Sequence, residues 1–288
     1  MKQLISIVLI LFAVVIAGCE DSTTKYVTED NPPARPQGVY SITGDELVTV
    51  IWYPVQDADL KEYRVWRSPD DNLYYYLDAT TNTYYEDDSV TNGVTYFYAV
   101  SSVDMNNNES ELSYEMVFDT PRPEGTNMLL YSVYQDPSRS GFDLSTHSVV
   151  PYNDPSADFY LDYDTVFKAP DTETASFFIT LTDTLIDIQD MGFTHDFDEI
   201  GYVADTIMGD SAAGWSEVGW SEVIFGHTYV IWTADNHFAK IRIYQIIEPS
   251  AIAFDWAYQT AEGNLELSPL QGDGEDNSSN TIDGVLLK

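Results

Sequence analysis

The chain has 288 residues, of which 44% are hydrophobic and 14% aromatic, so it is long enough and apolar enough to bury the cores of two ordinary domains. It carries 48 acidic and 12 basic residues, a formal net charge of −36, which repels phosphate backbones and excludes nucleic acid as a favoured partner. The same charge argues against electrostatic docking on anionic lipid and is consistent with a protein kept soluble outside the cytoplasm.

The first stretch of the chain predicts export. Lys2 precedes an apolar run over residues 4–16, interrupted by Ser6, which is too short for a comfortable membrane span and suits the core of a signal peptide. The run leads into Ala17, Gly18 and Cys19. This ending resembles the lipobox of bacterial lipoproteins, and the resemblance implies cleavage before Cys19 and attachment of lipid to its sulfur.

Cys19 is the one cysteine of the chain, whereas an exported protein that relied on disulfides would carry an even set. We therefore expect a lipoprotein signal peptide over residues 1–18 and a polar, flexible tether over residues 19–32. The mature protein would sit at the bacterial outer membrane or cell surface, held to the membrane through the lipid on Cys19. The alternative is an ordinary secretory signal with a chance cysteine.

Residues 33–121 show short strands separated by turns. Residues 48–52 are rich in β-branched side chains and end in a Trp, and residues 62–67 alternate between polar and apolar side chains, as in a half-buried strand. The Asn-Gly pair at 92–93 predicts a tight turn before a further strand over residues 95–104. This pattern is typical of a β-sandwich.

The same segment resembles a fibronectin type III domain. Trp52 lies where that family places its core Trp, and Tyr96 matches its corner tyrosine. Leu60 and Tyr63 fall at the entry to the third strand. The resemblance implies two sheets held together by a buried Trp and a hydrogen-bonded Tyr, and we interpret the domain as a spacer, since the fold itself names no function.

Residues 121–125 predict a short, stiff linker, and residues 126–288 predict a second β-rich domain. Its strands are expected at residues 128–134, 176–181, 227–233, 237–244 and 252–259. The third and fourth of these form a predicted β-hairpin with a loop of three or four residues. The expected fold class is all-β: a fibronectin type III sandwich followed by a second β-rich domain, after a cleaved signal peptide.

Within the second region, residues 226–230, 235–241 and 254–259 resemble the C-terminal half of HmuY-like lipoproteins, which are surface haem-binding β proteins. The resemblance implies capture of haem or of a metal ion. All four histidines lie in this region and are the candidate ligands: His147, His195, His227 and His237.

The predicted hairpin restricts how these histidines combine. His227 and His237 start the two strands of the hairpin: His237 is beside the turn, and His227 is about six residues away from it, roughly 20 Å at the rise of a strand. They cannot share a metal ion, whose nitrogen ligands lie about 2 Å from it. A site needs His147 or His195 as a partner, and the alternative is a set of isolated surface or strand-end histidines.

A tandem repeat, GWSEV-GWSEV, occupies residues 214–223. The spacing of five places Trp215 and Trp220 on opposite faces of a continuous strand, so one would be buried and the other exposed, unless the glycines bend the chain. An exposed indole stacks on a sugar or a porphyrin, which makes Trp215 and Trp220 candidate ligand-stacking residues. The alternative is that both pack in the core.

Acidic clusters at residues 162–164, 196–199 and 273–277 suit calcium or acid–base chemistry, but a chain this acidic forms such clusters by chance. No phosphate loop, dinucleotide-binding glycine pattern or His-Glu-x-x-His motif is present, and no residue is assigned a catalytic role. We expect an envelope-anchored lipoprotein that binds or displays without catalysis. The alternatives are haem or metal capture and carbohydrate binding or processing, with an envelope protein, haem or a glycan as the partner.

Overall fold

The computed structural model describes residues 31–168, 172–203 and 214–268, which hold seventeen β-strands and one short 3-10 helix. The strands pair antiparallel throughout these ranges, which confirms the predicted all-β class. The described part of the chain holds no helix of the length and apolarity needed to cross a membrane. The predicted signal peptide, Cys19 and the acidic stretch at 273–277 lie outside the described residues.

The first seven strands form a sandwich of two sheets. They are β1 (Tyr40–Gly44), β2 (Leu47–Ile51), β3 (Leu60–Ser68), β4 (Tyr75–Thr80), β5 (Tyr84–Asp87), β6 (Tyr96–Asp104) and β7 (Val117–Asp119). One sheet has the order β1-β2-β5 and the other the order β4-β3-β6-β7. This arrangement of three and four antiparallel strands is that of a fibronectin type III sandwich.

The core of this sandwich is built on a Trp–Tyr contact. Strands β2 and β3 alternate between buried and half-buried residues, because successive side chains of a strand point to opposite faces. Trp52, directly after β2, is buried and meets the ring of Tyr63 edge-on at 5.3 Å. Leu60 packs against the same cluster. The Tyr96 hydroxyl accepts a hydrogen bond from the Thr91 amide at 3.2 Å, so Tyr96 ties the loop before β6 to the sandwich.

The remaining ten strands form a second sandwich. They are β8 (Glu124–Tyr131), β9 (Gly141–Asp143), β10 (Ser148–Val150), β11 (Phe159–Lys168), β12 (Thr172–Leu181), β13 (Asp187–Phe193), β14 (Trp220–Glu222), β15 (His227–Trp232), β16 (Phe238–Ile247) and β17 (Ala251–Gln259). The 3-10 helix, Pro137–Arg139, lies between β8 and β9. The two five-stranded sheets have the orders β10-β9-β11-β12-β14 and β13-β15-β16-β17-β8.

The central hairpin of this sandwich was predictable from its pattern. Strands β15 and β16 pair from Thr228 with Arg242 to Trp232 with Phe238. The Thr233 amide donates to the His237 carbonyl at 2.9 Å and closes a loop over residues 234–236, whose last residue has a φ of 67°. A three-residue loop that ends in the left-handed region is a favoured hairpin connection.

Both faces of strand β16 are buried near its N-terminal end. Ala239, Ile241 and Ile243 point into the core between the two sheets. On the other face, Phe238 joins a smaller cluster that contains Trp215. This second cluster covers the outer face of the sheet.

The segment predicted as a linker is part of the packed structure. Pro121, Arg122 and Pro123 are buried, and β8 begins at Glu124, two residues before the predicted start of the second domain. The Arg122 amide donates to the Gly44 carbonyl of the first sandwich at 3.1 Å, and the Pro123 carbonyl accepts from the Tyr258 amide of the second at 3.0 Å. The predicted stiff linker is thus a buried segment that is hydrogen-bonded to both sandwiches, and the described residues from 32 to 268 belong to one compact unit.

The Trp–Tyr contact generates a stability prediction. Trp52→Ala removes the largest buried side chain of the first sandwich and should lower the free energy of unfolding by about 3–5 kcal/mol, the usual cost of truncating a core Trp. Met105→Ala, at a residue that is 65% exposed, is the control and should change it by less than about 0.5 kcal/mol. Chemical denaturation of both variants measures the difference, and equal losses would contradict the assignment of Trp52 as the core residue.

Candidate functional site

A groove crosses the four-stranded sheet of the first sandwich. It consists of two adjoining cavities of about 230 and 500 Å3, and both are lined by Tyr74 and Leu112. One wall comes from the turn before β4, and the other from the irregular segment 109–116 that runs between β6 and β7. The remaining residues that line it are Trp66, Asp71, Asn72, Ala99, Glu109, Ser110, Glu111, Ser113, Tyr114, Glu115 and Met116.

Aromatic side chains give this groove its apolar surface. Trp66, on β3, is half-buried and held in place, because its indole N–H donates to the Ser101 hydroxyl at 2.9 Å and its ring meets Tyr76 edge-on at 5.7 Å. Tyr114 is 78% exposed, and the Arg35 guanidinium lies 3.6 Å from the centre of its ring. The groove therefore combines one fixed indole with one open phenol ring.

Carboxylates surround these rings, and each is positioned by a donor. Glu109 accepts from Arg64 at 2.5 Å and from the Ser101 hydroxyl at 2.6 Å. Glu111 pairs with Arg35. Glu115 accepts from the Gly38 amide at 2.7 Å through one oxygen, while its other, buried oxygen has no hydrogen-bond partner among the described residues.

A further carboxylate–phenol contact lies at the end of the groove. The Tyr74 hydroxyl donates to Asp71 at 2.5 Å. Burial, together with this bond, raises the pKa of Tyr74, so the phenol stays protonated and keeps donating. Tyr74 is thereby held against the turn that forms the wall.

This arrangement suits an uncharged ligand with one apolar face and many hydroxyls. Aromatic rings stack on apolar faces, and carboxylate oxygens accept hydrogen bonds from hydroxyl groups. The acidic lining repels phosphate and carboxylate groups. Because cations and hydroxyls engage Glu109 and Glu111, the arrangement favours binding over proton transfer.

The four candidate histidines fall into two places, both in the second sandwich. His147 and His237 each contact the ring of Tyr258, at 6.0 and 5.4 Å. His147 also stacks on Trp256 at 4.6 Å, and burial lowers its pKa, which favours the neutral imidazole.

The other two histidines lie beside Phe193. His227 is its strand partner, and His195 meets its ring at 5.3 Å. The Nδ1 atom of His227 lies 2.9 Å from Asp190. His227 begins β15, whereas His237 directly precedes β16 at the turn of the hairpin. The described residues contain no group of three or more His, Cys, Asp or Glu side chains arranged for a metal ion.

The two Trp residues of the repeat differ in environment. Trp215 is 2% exposed and packs in the cluster beside β16, whereas Trp220 on β14 is 43% exposed and meets the ring of Phe178 edge-on at 5.1 Å. The chain bends between them at Gly219, whose φ is 72°. Of the two candidate stacking residues, Trp220 is the one that a ligand can reach.

Sequence reasoning did not identify the groove. Its aromatic rings come from β3, from the turn before β4 and from segment 109–116, which only the folded sheet brings together. The usable signal was the run Tyr74-Tyr75-Tyr76, because three consecutive tyrosines place at least one ring on the solvent face of any strand.

Comparison with known proteins gives partial matches. No known family profile matches the chain. An amylopullulanase of Thermoanaerobacterium saccharolyticum is 36% identical over 95 residues, which cover 32% of this chain and 7% of that protein. A second amylopullulanase, of Thermoanaerobacterium thermosulfurigenes, is 34% identical over 95 residues, which cover 32% and 5%. The chain thus spans a small part of the curated relatives it matches.

Two solved structures resemble a similar share of the chain. A Fn3-like protein from Clostridium thermocellum is 26% identical, with 32% of this chain and 98% of that chain covered and a TM-score of 0.27. A β-1,2-glucanase from Parabacteroides distasonis is 27% identical, with 32% and 13% covered and a TM-score of 0.27.

Proposed function

We propose that this chain is a non-enzymatic carbohydrate-binding protein of the bacterial envelope, which holds a neutral glycan in the groove of its first sandwich. The observation that carries the proposal is the lining of that groove. Trp66 and Tyr114 offer aromatic faces, while Glu109 and Glu111 offer oxygen acceptors around them. This pairing recognises the alternating apolar faces and hydroxyl groups of a sugar chain.

The match to amylopullulanases supports this choice of ligand, because those proteins are carbohydrate-active enzymes. It extends over 32% of this chain, so it bears on a module and not on an enzymatic activity. The acidic lining of the groove disfavours uronic acid polymers as ligands, because their carboxylates would be repelled by the carboxylates of the protein. The ligand class is therefore an uncharged hexose polymer.

The sequence of the N-terminus supports the proposed location at the bacterial envelope. In this proposal lipid on Cys19 anchors the chain, residues 19–32 form the tether, and the tether enters the first sandwich at Pro33. The Ala34 amide donates to Asp57 at 2.7 Å, and the Ser102 hydroxyl donates to the Ala34 carbonyl at 2.6 Å, so the chain is fixed from this point on. The first sandwich then serves both as a spacer and as the glycan-binding module.

The binding prediction uses the full mature chain and three soluble glycans. Affinity electrophoresis with pullulan, amylopectin and β-1,2-glucan should show retardation by at least one of them and none by polygalacturonate. Trp66→Ala and Tyr114→Ala should each weaken the apparent affinity about tenfold, equivalent to about 1.4 kcal/mol, as expected for an aromatic residue that dominates a binding site.

Tyr84→Ala is the matched control, because Tyr84 is an exposed tyrosine on β5, in the other sheet of the same sandwich. It should leave the affinity unchanged. Equal retardation of Tyr84→Ala and Trp66→Ala, or no binding to any neutral glycan, would refute the assignment.

The anchor is tested separately. Cys19→Ser should release the whole protein from the membrane fraction of expressing cells into the soluble fraction, because the proposal places no second attachment in the chain. Fractionation followed by immunoblotting measures this. A variant that stays with the membranes would remove lipid on Cys19 as the attachment and leave the glycan proposal standing.

A further inference from the structure

The junction between the two sandwiches contains a buried cluster of charged side chains, although most charged residues of a protein lie on its surface. Arg122 and Lys240 are both fully buried there. The Arg122 guanidinium donates to the Leu267 carbonyl at 2.8 Å and to Glu124 at 3.0 Å. The Lys240 ammonium donates to the Ser268 hydroxyl at 2.6 Å and to the Ile200 carbonyl at 3.2 Å.

A half-exposed carboxylate borders both cations. Asp198 lies 3.9 Å from Arg122 and 3.4 Å from Lys240, and it accepts from the Ser268 hydroxyl at 3.0 Å. The ring of Phe197 covers Lys240 at 4.3 Å. Residues from β8, β16 and the loops after β13 and β17 therefore converge on the two cations.

Two buried carboxyls lie on the other side of Arg122. Asp119, at the end of β7, accepts from the Thr43 hydroxyl at 2.8 Å through one oxygen. Its second oxygen is buried and has no hydrogen-bond partner among the described residues, and the same holds for one oxygen of Glu266. Burying an ionised oxygen without a donor is costly, so a carboxyl in this position favours its protonated form.

These two carboxyls belong to the two halves of the junction. Asp119 is on the first sandwich, and Glu266 is on the segment after β17. The side-chain amide of Asn264, on that segment, donates to the Thr120 hydroxyl at 3.1 Å. The Gln259 amide ties this segment further, since it donates to the Glu266 carbonyl at 3.0 Å. A second negative charge here would push the two halves apart.

We propose that the junction is a proton-dependent latch, which is tight while Asp119 and Glu266 retain a proton and loosens when both are ionised. The groups that face the pair are Thr43 from β1, Thr120 and Arg122 from the connecting segment, with Lys240, Glu124 and Asp198 beyond Arg122. One cation, Arg122, is available to neutralise two carboxylates. This latch does not depend on glycan binding.

The direction of the effect follows from where the protons bind. Burial, and then the charge of Asp119, raises the pKa of Glu266 from 4.5 to about 8, and burial raises the pKa of Asp119 from 3.8 to about 6. From about pH 4.5 to about pH 8 the folded protein binds protons that the unfolded chain has released, so stability falls as the pH rises through this window.

Lys240 acts in the opposite direction at higher pH. Burial, and then the charge of Arg122, lowers the pKa of Lys240 from 10.5 to about 7. Above pH 7 the unfolded chain therefore binds a proton that the folded protein has lost, and stability rises. Glu266→Gln and the parent protein both retain Lys240, so the difference between their stabilities isolates the contribution of Glu266 from that of Lys240.

The test compares Glu266→Gln with the parent protein between pH 5 and pH 8. The amide keeps the shape of the neutral carboxyl and cannot ionise. At pH 5 both proteins should melt at the same temperature, and at pH 8 Glu266→Gln should melt several degrees higher. Glu262→Gln, at an exposed glutamate four positions away, removes the same charge and should follow the parent protein at every pH.

Hydrogen exchange locates the effect in the junction. The Gly93 and Arg122 amides make the hydrogen bonds that join the connecting segment to the first sandwich, and the Tyr258 amide joins it to the second. Their protection factors in the parent protein should fall about tenfold or more from pH 5 to pH 8 after correction for intrinsic exchange. Parallel melting curves for the parent protein and Glu266→Gln would overturn the latch. So would junction amides whose protection does not change with pH, a result that decides the question even if Glu266→Gln does not fold.

Discussion

Two buried basic side chains organise this molecule. Neither Arg122 nor Lys240 is exposed to water, and burying a charged group is tolerated only when acceptors surround it. The acceptors come from β8, from the loop after β13 and from the segment that follows β17. These contacts hold the connecting segment against the second sandwich, and the Arg122 amide, which donates to the Gly44 carbonyl at 3.1 Å, ties the same segment to the first.

The junction changes how the first sandwich can serve as a spacer. A free linker would let the second sandwich reorient, whereas buried residues Pro121, Arg122 and Pro123 hold the described parts of both sandwiches in one compact unit. The groove faces solvent from a different part of the first sandwich, on β3 and segment 109–116. Ligand binding and the contact between the sandwiches thus use separate surfaces, so each can be changed by mutation without the other.

Most of the fold was predictable from local sequence patterns. The alternation along β3, the Trp at position 52 and the corner tyrosine Tyr96 are short-range features, and each lies where its pattern predicted. The hairpin of β15 and β16 was likewise readable, because its loop chemistry and strand lengths are local.

The site and the junction were not readable in this way, because they depend on contacts between distant parts of the chain. Arg122 reaches Leu267 across 145 positions, and it looks like an ordinary linker residue in the sequence. Segment 109–116 has no distinctive sequence pattern, yet it forms a wall of the groove. A chain with 48 acidic residues also hides the few carboxyls that are buried among those that are only solvated.

The most direct measurement is a crystal structure of the mature protein soaked with a linear oligosaccharide released from pullulan. The account predicts a sugar ring stacked on Trp66 or Tyr114, with its hydroxyls donating to the carboxylates of the groove. An oligosaccharide bound at Trp220 with the groove empty, or density in neither place at millimolar ligand, would contradict it.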